Sequence, residues 1–248
     1  MKSFLSRTRN GACMVNEYSK EWKEHFLDNY KPEFTKNDID LLCAIFPLDT
    51  HPTLLDLGCG IGRHAIPLSK LGYKINAIDK DPTMLDSLIS SPDYSATKIQ
   101  VHCIDFRDMS MLQHHHGIYS MWQSFGYYDE KTNLSILRAT AGLLLPKGKL
   151  LLDVFNKAFY EINYGTRQIE KSQGIILEES RFVNNRYSVK LTYPNGNIDR
   201  YSFFLYTPKD LEDIMSQFNL VKTNTYVWNV PKIVDARDSR FQILFENT

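Results

Sequence analysis

Neither sign of charge prevails in this chain: Lys plus Arg and Asp plus Glu each number 29 among 248 residues, so the formal net charge is zero. That balance lacks the basic footprint of a nucleic-acid binder. Cysteine is scarce. Cys13, Cys43, Cys59 and Cys103 form no CxxC pair and no zinc-ligand spacing with histidine, and they read as reduced thiols. Long apolar runs are missing as well. The opening "MKSFLSRTRNGACMVN" interrupts its apolar residues with Arg7, Arg9 and Asn10, unlike a signal peptide, and no stretch reaches membrane-spanning length. These absences point to a cytoplasmic protein with no membrane or nucleic-acid partner. The length suits one large α/β domain with an insertion, preceded by a flexible tail over residues 1–15.

What is present is organised by periodicity. Tyr18, Trp22, Phe26 and Tyr30 recur every fourth residue, which predicts an aromatic stripe on one helical face and reads as core packing. Thr35 and Asp38 stand at capping-box spacing before Ile39, Leu41, Leu42 and Ile45, predicting a second helix that starts there. From Thr53 short apolar strands alternate with helical patterns, the mark of βαβ units on a parallel sheet. Asp81-Pro82 and Thr207-Pro208, with Asp210, predict two further helix starts. Between residues 174 and 206 the period becomes two, and Asn184-Asn185 and Asn195-Gly196 mark turns, so three antiparallel strands form a β-rich insertion. The expected fold is a doubly wound, mainly parallel, seven-stranded Rossmann-like sheet with an inserted antiparallel β cap.

"TLLDLGCGIGRHAIPLSKLGYKINAID" carries the chemistry. A strand ending in Gly58, Gly60 and Gly62 and running into a helix lets backbone approach a ligand, because glycine turns tightly and has no Cβ in the way. Asp79 ends the next strand, where a carboxylate can accept hydrogen bonds from both hydroxyls of a ribose. A ligand that contains a nucleoside is therefore the first hypothesis, beside a merely tight strand-to-helix turn. A dinucleotide fingerprint begun at Gly58 needs glycine at the place of Arg63, which weakens the pyrophosphate reading, and no phosphate-binding G-x-x-x-x-G-K-[ST] loop occurs.

At these residues the sequence resembles the class I S-adenosylmethionine-dependent methyltransferases, small-molecule branch. Asp56, Gly58, Gly60 and Gly62 match the first motif, Asp79 the ribose acid, and Asp105-Phe106 the pair that meets adenine. "WQSFGYYDEKTNLSILRATAGLLLPKGKLLLDVFN" is similar to the segment from the fourth strand to the fifth. The resemblance covers residues 18–246 and implies S-adenosyl-L-methionine as cofactor and S-adenosyl-L-homocysteine as product. It further implies cofactor contacts from Cys59, Lys80, Met84 and Gln123, and an N-terminal helical lid over residues 16–48 that brings Tyr18 and Tyr30 to the cofactor. The implied activity is methyl transfer to a small-molecule acceptor by a monomer or homodimer.

Several residues have blander readings beside the functional ones. Gln123 and Ser124 serve equally well as satisfied loop groups, and Phe106 as ordinary core. The run His114-His115-His116 reads as an exposed turn with no metal, since consecutive imidazoles do not converge on one ion. No catalytic dyad stands out; His64, Tyr127, Tyr128 and Tyr206 are the candidate bases for an acceptor that must lose a proton. Other chemistry on the same cofactor, or a non-catalytic module that binds it, remains an alternative.

Overall fold

The structure, a computed structural model, describes residues 19–27, 31–172 and 174–248. Tyr18, Tyr30 and the 1–15 tail lie outside them. Two helices, α1 (Lys20–Leu27) and α2 (Pro32–Ile45), precede the alternating region β1 (Thr53–Leu57), α3 (Ala65–Lys70), β2 (Lys74–Asp79), α4 (Pro82–Ile89), β3 (Ile99–Cys103), β4 (His115–Ser120), α5 (Glu130–Gly142) and β5 (Leu144–Phe155). A short α6 (Lys157–Tyr160) leads to β6 (Thr166–Lys171), β7 (Gly174–Val183), β8 (Arg186–Thr192) and β9 (Ile198–Phe204). The chain ends with α7 (Pro208–Ser216), β10 (Leu220–Val227), β11 (Val230–Pro231) and β12 (Arg240–Asn247).

The main sheet runs β11-β10-β12-β5-β4-β1-β2-β3. The strands from β3 to β5 are parallel, and β12, β10 and β11 close that edge antiparallel. The expected seven strands are thus joined by an eighth, the two-residue β11. Alternation along β1 divides the core. Leu55 and Leu57 face a layer with Ile136, Leu137, Leu211 and Met215 of α5 and α7, whereas Leu54 faces Leu42, Leu68 and Leu85 of α2, α3 and α4. Asp56 shares the Leu54 face.

Caps place several helices. Asp81 accepts from the Thr83 amide with Pro82 at the first helical position, and Thr207 and Asp210 form a reciprocal capping box. The cap expected from Thr35 and Asp38 does not form: α2 begins three residues earlier at Pro32, so both lie inside it, and Asp38 is buried by tertiary partners. The histidine run is also corrected, because His115 opens β4 at 1% exposure, with Nε2 2.7 Å from Asn76 Nδ2. Burial lowers its pKa to about 4. Cys43 and Cys59 are free thiols, whereas Cys103 is disulfide-bonded, so four reduced thiols do not hold.

The second sheet has four strands in the order β6-β7-β8-β9, not three, and begins at Thr166. Its alternation buries Ile176, Tyr187, Val189, Leu191 and Phe203 in a third core with Trp22 of α1. Arg186 ties this sheet to the segment after β4 by donating to the carbonyls of Tyr127 and Tyr128, and the Phe204 amide donates to the Gly126 carbonyl. Both ties lie at the carboxyl edge of the parallel strands.

Candidate active site

The glycine loop leaves β1 at that edge. Gly58 and Cys59 donate their amides to the Ile78 carbonyl at 2.9 and 3.0 Å, which fastens the loop to the end of β2. Gly58, Gly60 and Gly62 have φ of 79°, 52° and 79°, the left-handed region that favours glycine. Their surroundings differ. A Cβ on Gly62 would lie 1.9 Å from Leu88 Cδ1 and one on Gly58 2.5 Å from Ser124 Cβ, but one on Gly60 would meet nothing within 4 Å. Two glycines are needed for packing, and the middle one faces open space.

Asp79 organises this loop. Its Oδ2 accepts from the Gly60 amide and its Oδ1 from the Asp81 amide, each at 2.9 Å, while burial raises its pKa. Asp56 pairs in register with Tyr119 of β4 and is 2% exposed. Its Oδ2 accepts no hydrogen bond of ordinary geometry, and burial, with a smaller push from Asp79, raises its pKa to about 7 although the neighbouring Tyr119 hydroxyl works the other way. Cys59 is buried with its thiol pushed up, so it offers no thiolate.

Asp105 caps the turn after β3 through the Arg107 amide and receives Arg107 Nε at 2.9 Å, Arg107 Nη2 at 3.0 Å and the Tyr128 hydroxyl. Burial would raise this carboxyl, and these partners hold it below its ordinary value. Phe106 packs at the edge of the α5 and α7 core, and Met84 is half-buried in the first turn of α4. Lys80 Nζ lies 5.9 Å from the Tyr127 ring centroid. Gln123 uses both ends of its amide on backbone, donating to the Phe125 carbonyl at 2.7 Å and accepting from the Phe155 amide. Among the described residues no His, Cys, Asp or Glu cluster is arranged for a metal ion.

A model of the methyltransferase domain matches residues 54–148, the stretch from β1 into β5 that holds every one of these loop groups. Over that stretch the chain is similar to the methyltransferase domain. Solved structures repeat the fold over nearly the whole length. The CcbJ methyltransferase from Streptomyces caelestis is 18% identical with a TM-score of 0.75, covering 89% of this chain and 94% of its own. An S-adenosylmethionine-dependent methyltransferase from Clostridium acetobutylicum is 15% identical with a TM-score of 0.77, over 92% and 96%. CalS10, an amino pentose methyltransferase from Micromonospora echinaspora, is 15% identical with a TM-score of 0.67, over 95% and 100%. Among curated proteins, none matches by sequence.

The glycine loop is braced by a cluster that the sequence does not announce. Asp38 of α2 accepts from Trp122 Nε1 at 2.8 Å and Asn229 Nδ2 at 2.9 Å, pairs with Arg63 Nη2 at 2.9 Å, and lies 3.1 Å from His64 Nε2. Burial alone would raise this carboxyl, but His64, Asn229 and Arg63 outweigh it and hold the pKa at about 2. The Trp122 ring centroid lies 4.5 Å from the Arg63 guanidinium and 4.7 Å from that of Arg240, and Arg240 pairs with buried Asp153 at 2.7 Å. Trp122 and Gln123 have φ of 59° and 62°, a conformation non-glycine residues seldom adopt, and their amides donate to Asp153, to Oδ2 at 3.2 Å and to the carbonyl at 3.1 Å. Arg63 was the one sequence signal, standing where a dinucleotide loop needs glycine.

His64 belongs to this cluster. It is buried against Asp38 and its pKa falls to about 4 through burial, so it braces the loop and is a weak base. Tyr206 stacks on Phe125 in the core with its hydroxyl pKa raised by burial, which suits it poorly to proton removal. Tyr127 and Tyr128 border an open cleft.

Proposed function

We propose that this protein moves a methyl group from S-adenosylmethionine to a small-molecule acceptor by in-line displacement. The observation that carries the reading is the pairing of open space at Gly60 of the loop with the buried Oδ2 of Asp56 near the end of β1. A Cβ would fill the first and a cationic group would satisfy the second, which suits a ligand bearing an ammonium beside a nucleoside. When bound, the cofactor supplies a methyl group already activated on a sulfonium. Asp56 holds the ammonium end, Asp79 turns its remaining lone pairs to the ribose hydroxyls, and the Asp105-Phe106 backbone borders the adenine.

The protein's own task is then alignment and exclusion of water. Holding an acceptor in line is worth about 7–11 kcal/mol, so the lack of a dedicated dyad is no obstacle. In this proposal α1 and α2 act as the lid, with Tyr18 and Tyr30 among its cofactor contacts, and the second sheet is the cap over the acceptor. Trp22 gives the lid a seat on that cap, 6.3 Å from the Tyr201 ring. Small-molecule acceptors are supported by neighbours such as CalS10 and the sugar N-methyltransferase KedS8 from Streptoalloteichus, which is 14% identical with a TM-score of 0.65. No helix among the described residues is long and apolar enough to cross a membrane, and we place the protein in the cytoplasm as a monomer or homodimer.

Parallel calorimetric titrations with S-adenosylmethionine, S-adenosylhomocysteine and NAD test the reading. Micromolar binding of the first two and none of NAD is expected, and an acceptor panel followed by S-adenosylhomocysteine release then identifies turnover. Binding of NAD alone would overturn the proposal.

A further inference from the structure

The second sheet presents opposite chemistry on its two faces. Tyr187, Val189 and Leu191 of β8 point into the aromatic core, so Ser188 and Lys190 between them point the other way. Register carries this pattern across the sheet: Glu179, Lys190 and Arg200 form one row, and Arg181, Ser188 and Ser202 the next. These six residues, with Val189 and Tyr201 of the same strands and with Lys80, Tyr127 and Tyr128, line a cleft of about 680 Å³.

The charge in this cleft is lopsided although the chain as a whole is neutral. Lys80, Arg181, Lys190 and Arg200 face a single carboxylate, Glu179, which Lys190 already engages. Arg181 and Arg200 are exposed and make no hydrogen bond or ion pair with the described residues. Like charges on neighbouring strands destabilise a sheet unless something neutralises them. Guanidinium groups offer planar forks of donors that match the oxygens of a phosphate, and the Ser188 and Ser202 hydroxyls add two donors between them. Several cations and two hydroxyls converging on one cleft match a multiply charged anion better than a single carboxylate.

The position gives this a role. Lys80 follows Asp79, and the Tyr128 hydroxyl donates to Asp105, so the cleft opens beside the edge where the glycine loop lies. We infer that the cleft is the subsite for a phosphate or diphosphate group on the methyl acceptor, with Arg181 and Arg200 as its main ligands and Lys190 held ready by Glu179. The acceptor class is then a phosphorylated small molecule, anchored at its charged end while its other end reaches the methyl donor. This assignment rests on the methyl-transfer reading above.

The test uses the full chain and an Arg181→Gln/Arg200→Gln variant, titrated with inorganic pyrophosphate at constant ionic strength, with S-adenosylhomocysteine titrated into both. Pyrophosphate should bind the wild type about tenfold or more tighter than the variant, with the S-adenosylhomocysteine affinity equal in the two. Equal pyrophosphate affinities would overturn the subsite and leave the methyl-transfer reading intact. Pyrophosphate binding by a wild type that ignores S-adenosylhomocysteine would overturn its role as an acceptor subsite through failure of that reading. A short single-stranded RNA that binds more tightly than pyrophosphate, and loses that binding in the variant, would reassign the face to nucleic acid. Both arginines are exposed, so folding should persist. If melting shows otherwise, Arg200→Gln alone should still lose about threefold, and no loss there would overturn the proposal.

Discussion

Two buried carboxylates flank the same glycine loop and behave in opposite ways. Asp38 is 4% exposed and Asp56 2% exposed, so burial penalises both. Asp38 has Arg63, His64, Trp122 and Asn229 around it and its pKa falls to about 2. Asp56 has an Oδ2 that accepts no hydrogen bond of ordinary geometry, and its pKa rises to about 7. A buried charge surrounded by donors belongs to the scaffold, whereas one left short of them is stabilised only by something that arrives later. The first carboxylate holds the helix, the loop and the β10–β11 turn together; the second is where a cationic ligand belongs.

The comparison is broken most sharply by deleting each carboxylate. Asp38→Ala should cost about 3–5 kcal/mol in urea unfolding, because it removes the buried acceptor shared by Arg63 and three further donors. Asp56→Asn should leave stability within about 1 kcal/mol of the wild type while weakening cofactor binding. Equal losses of stability would erase the distinction.

The glycines give a second contrast. Gly62→Ala should lower stability by about 1–3 kcal/mol, since its Cβ would overlap Leu88 at 1.9 Å. Gly60→Ala, with nothing near its Cβ, should cost about 1 kcal/mol of backbone strain and lose cofactor affinity at least as strongly. If calorimetry finds full affinity in a folded Gly60→Ala protein, the ligand does not lie against this loop. Asp79→Ala should weaken cofactor binding by about 1–3 kcal/mol through the ribose hydrogen bonds and the slackened Gly60 amide.

The smallest expected effect concerns pH. The pKa of Asp56 rises from 3.8 to about 7, so the carboxyl is protonated below that value and charged above it. Cofactor affinity should therefore increase as pH rises from 6 to 8, and Asp56→Asn should flatten that part of the profile. The same shift works against stability at high pH: the contribution of Asp56 is most favourable below about 3.8 and is lost as pH rises through 7. An unaltered pH profile in Asp56→Asn would remove this carboxylate from the binding step.

Some local signals in the sequence match the structure and others are overridden by it. Asp81-Pro82 and Thr207-Asp210 act within one helical turn, and the glycine loop with Asp79 acts within one βαβ unit. Thr35 and Asp38 carried the same local signal, but Asp38 sits inside α2 because Pro32 starts the helix earlier and Arg63, Trp122 and Asn229 approach from afar. Strand β6, "TRQIEK", was overlooked because it lies at a sheet edge and is mostly exposed, so it shows little apolar alternation. His115 was misread because burial against Asn76 depends on a neighbouring strand, not on flanking residues.

The sequence by itself determined the parallel sheet, the glycine loop and the order of its three carboxylates, since strand alternation and left-handed turns need only neighbours along the chain. Only the tertiary structure decided which carboxylate is satisfied and which is left wanting. It also decided that the arginines of β7 and β9 share a face with Lys190. Those outcomes depend on donors brought together from residues as far apart as Asp38 and Asn229, and on strand register, neither of which a local pattern records.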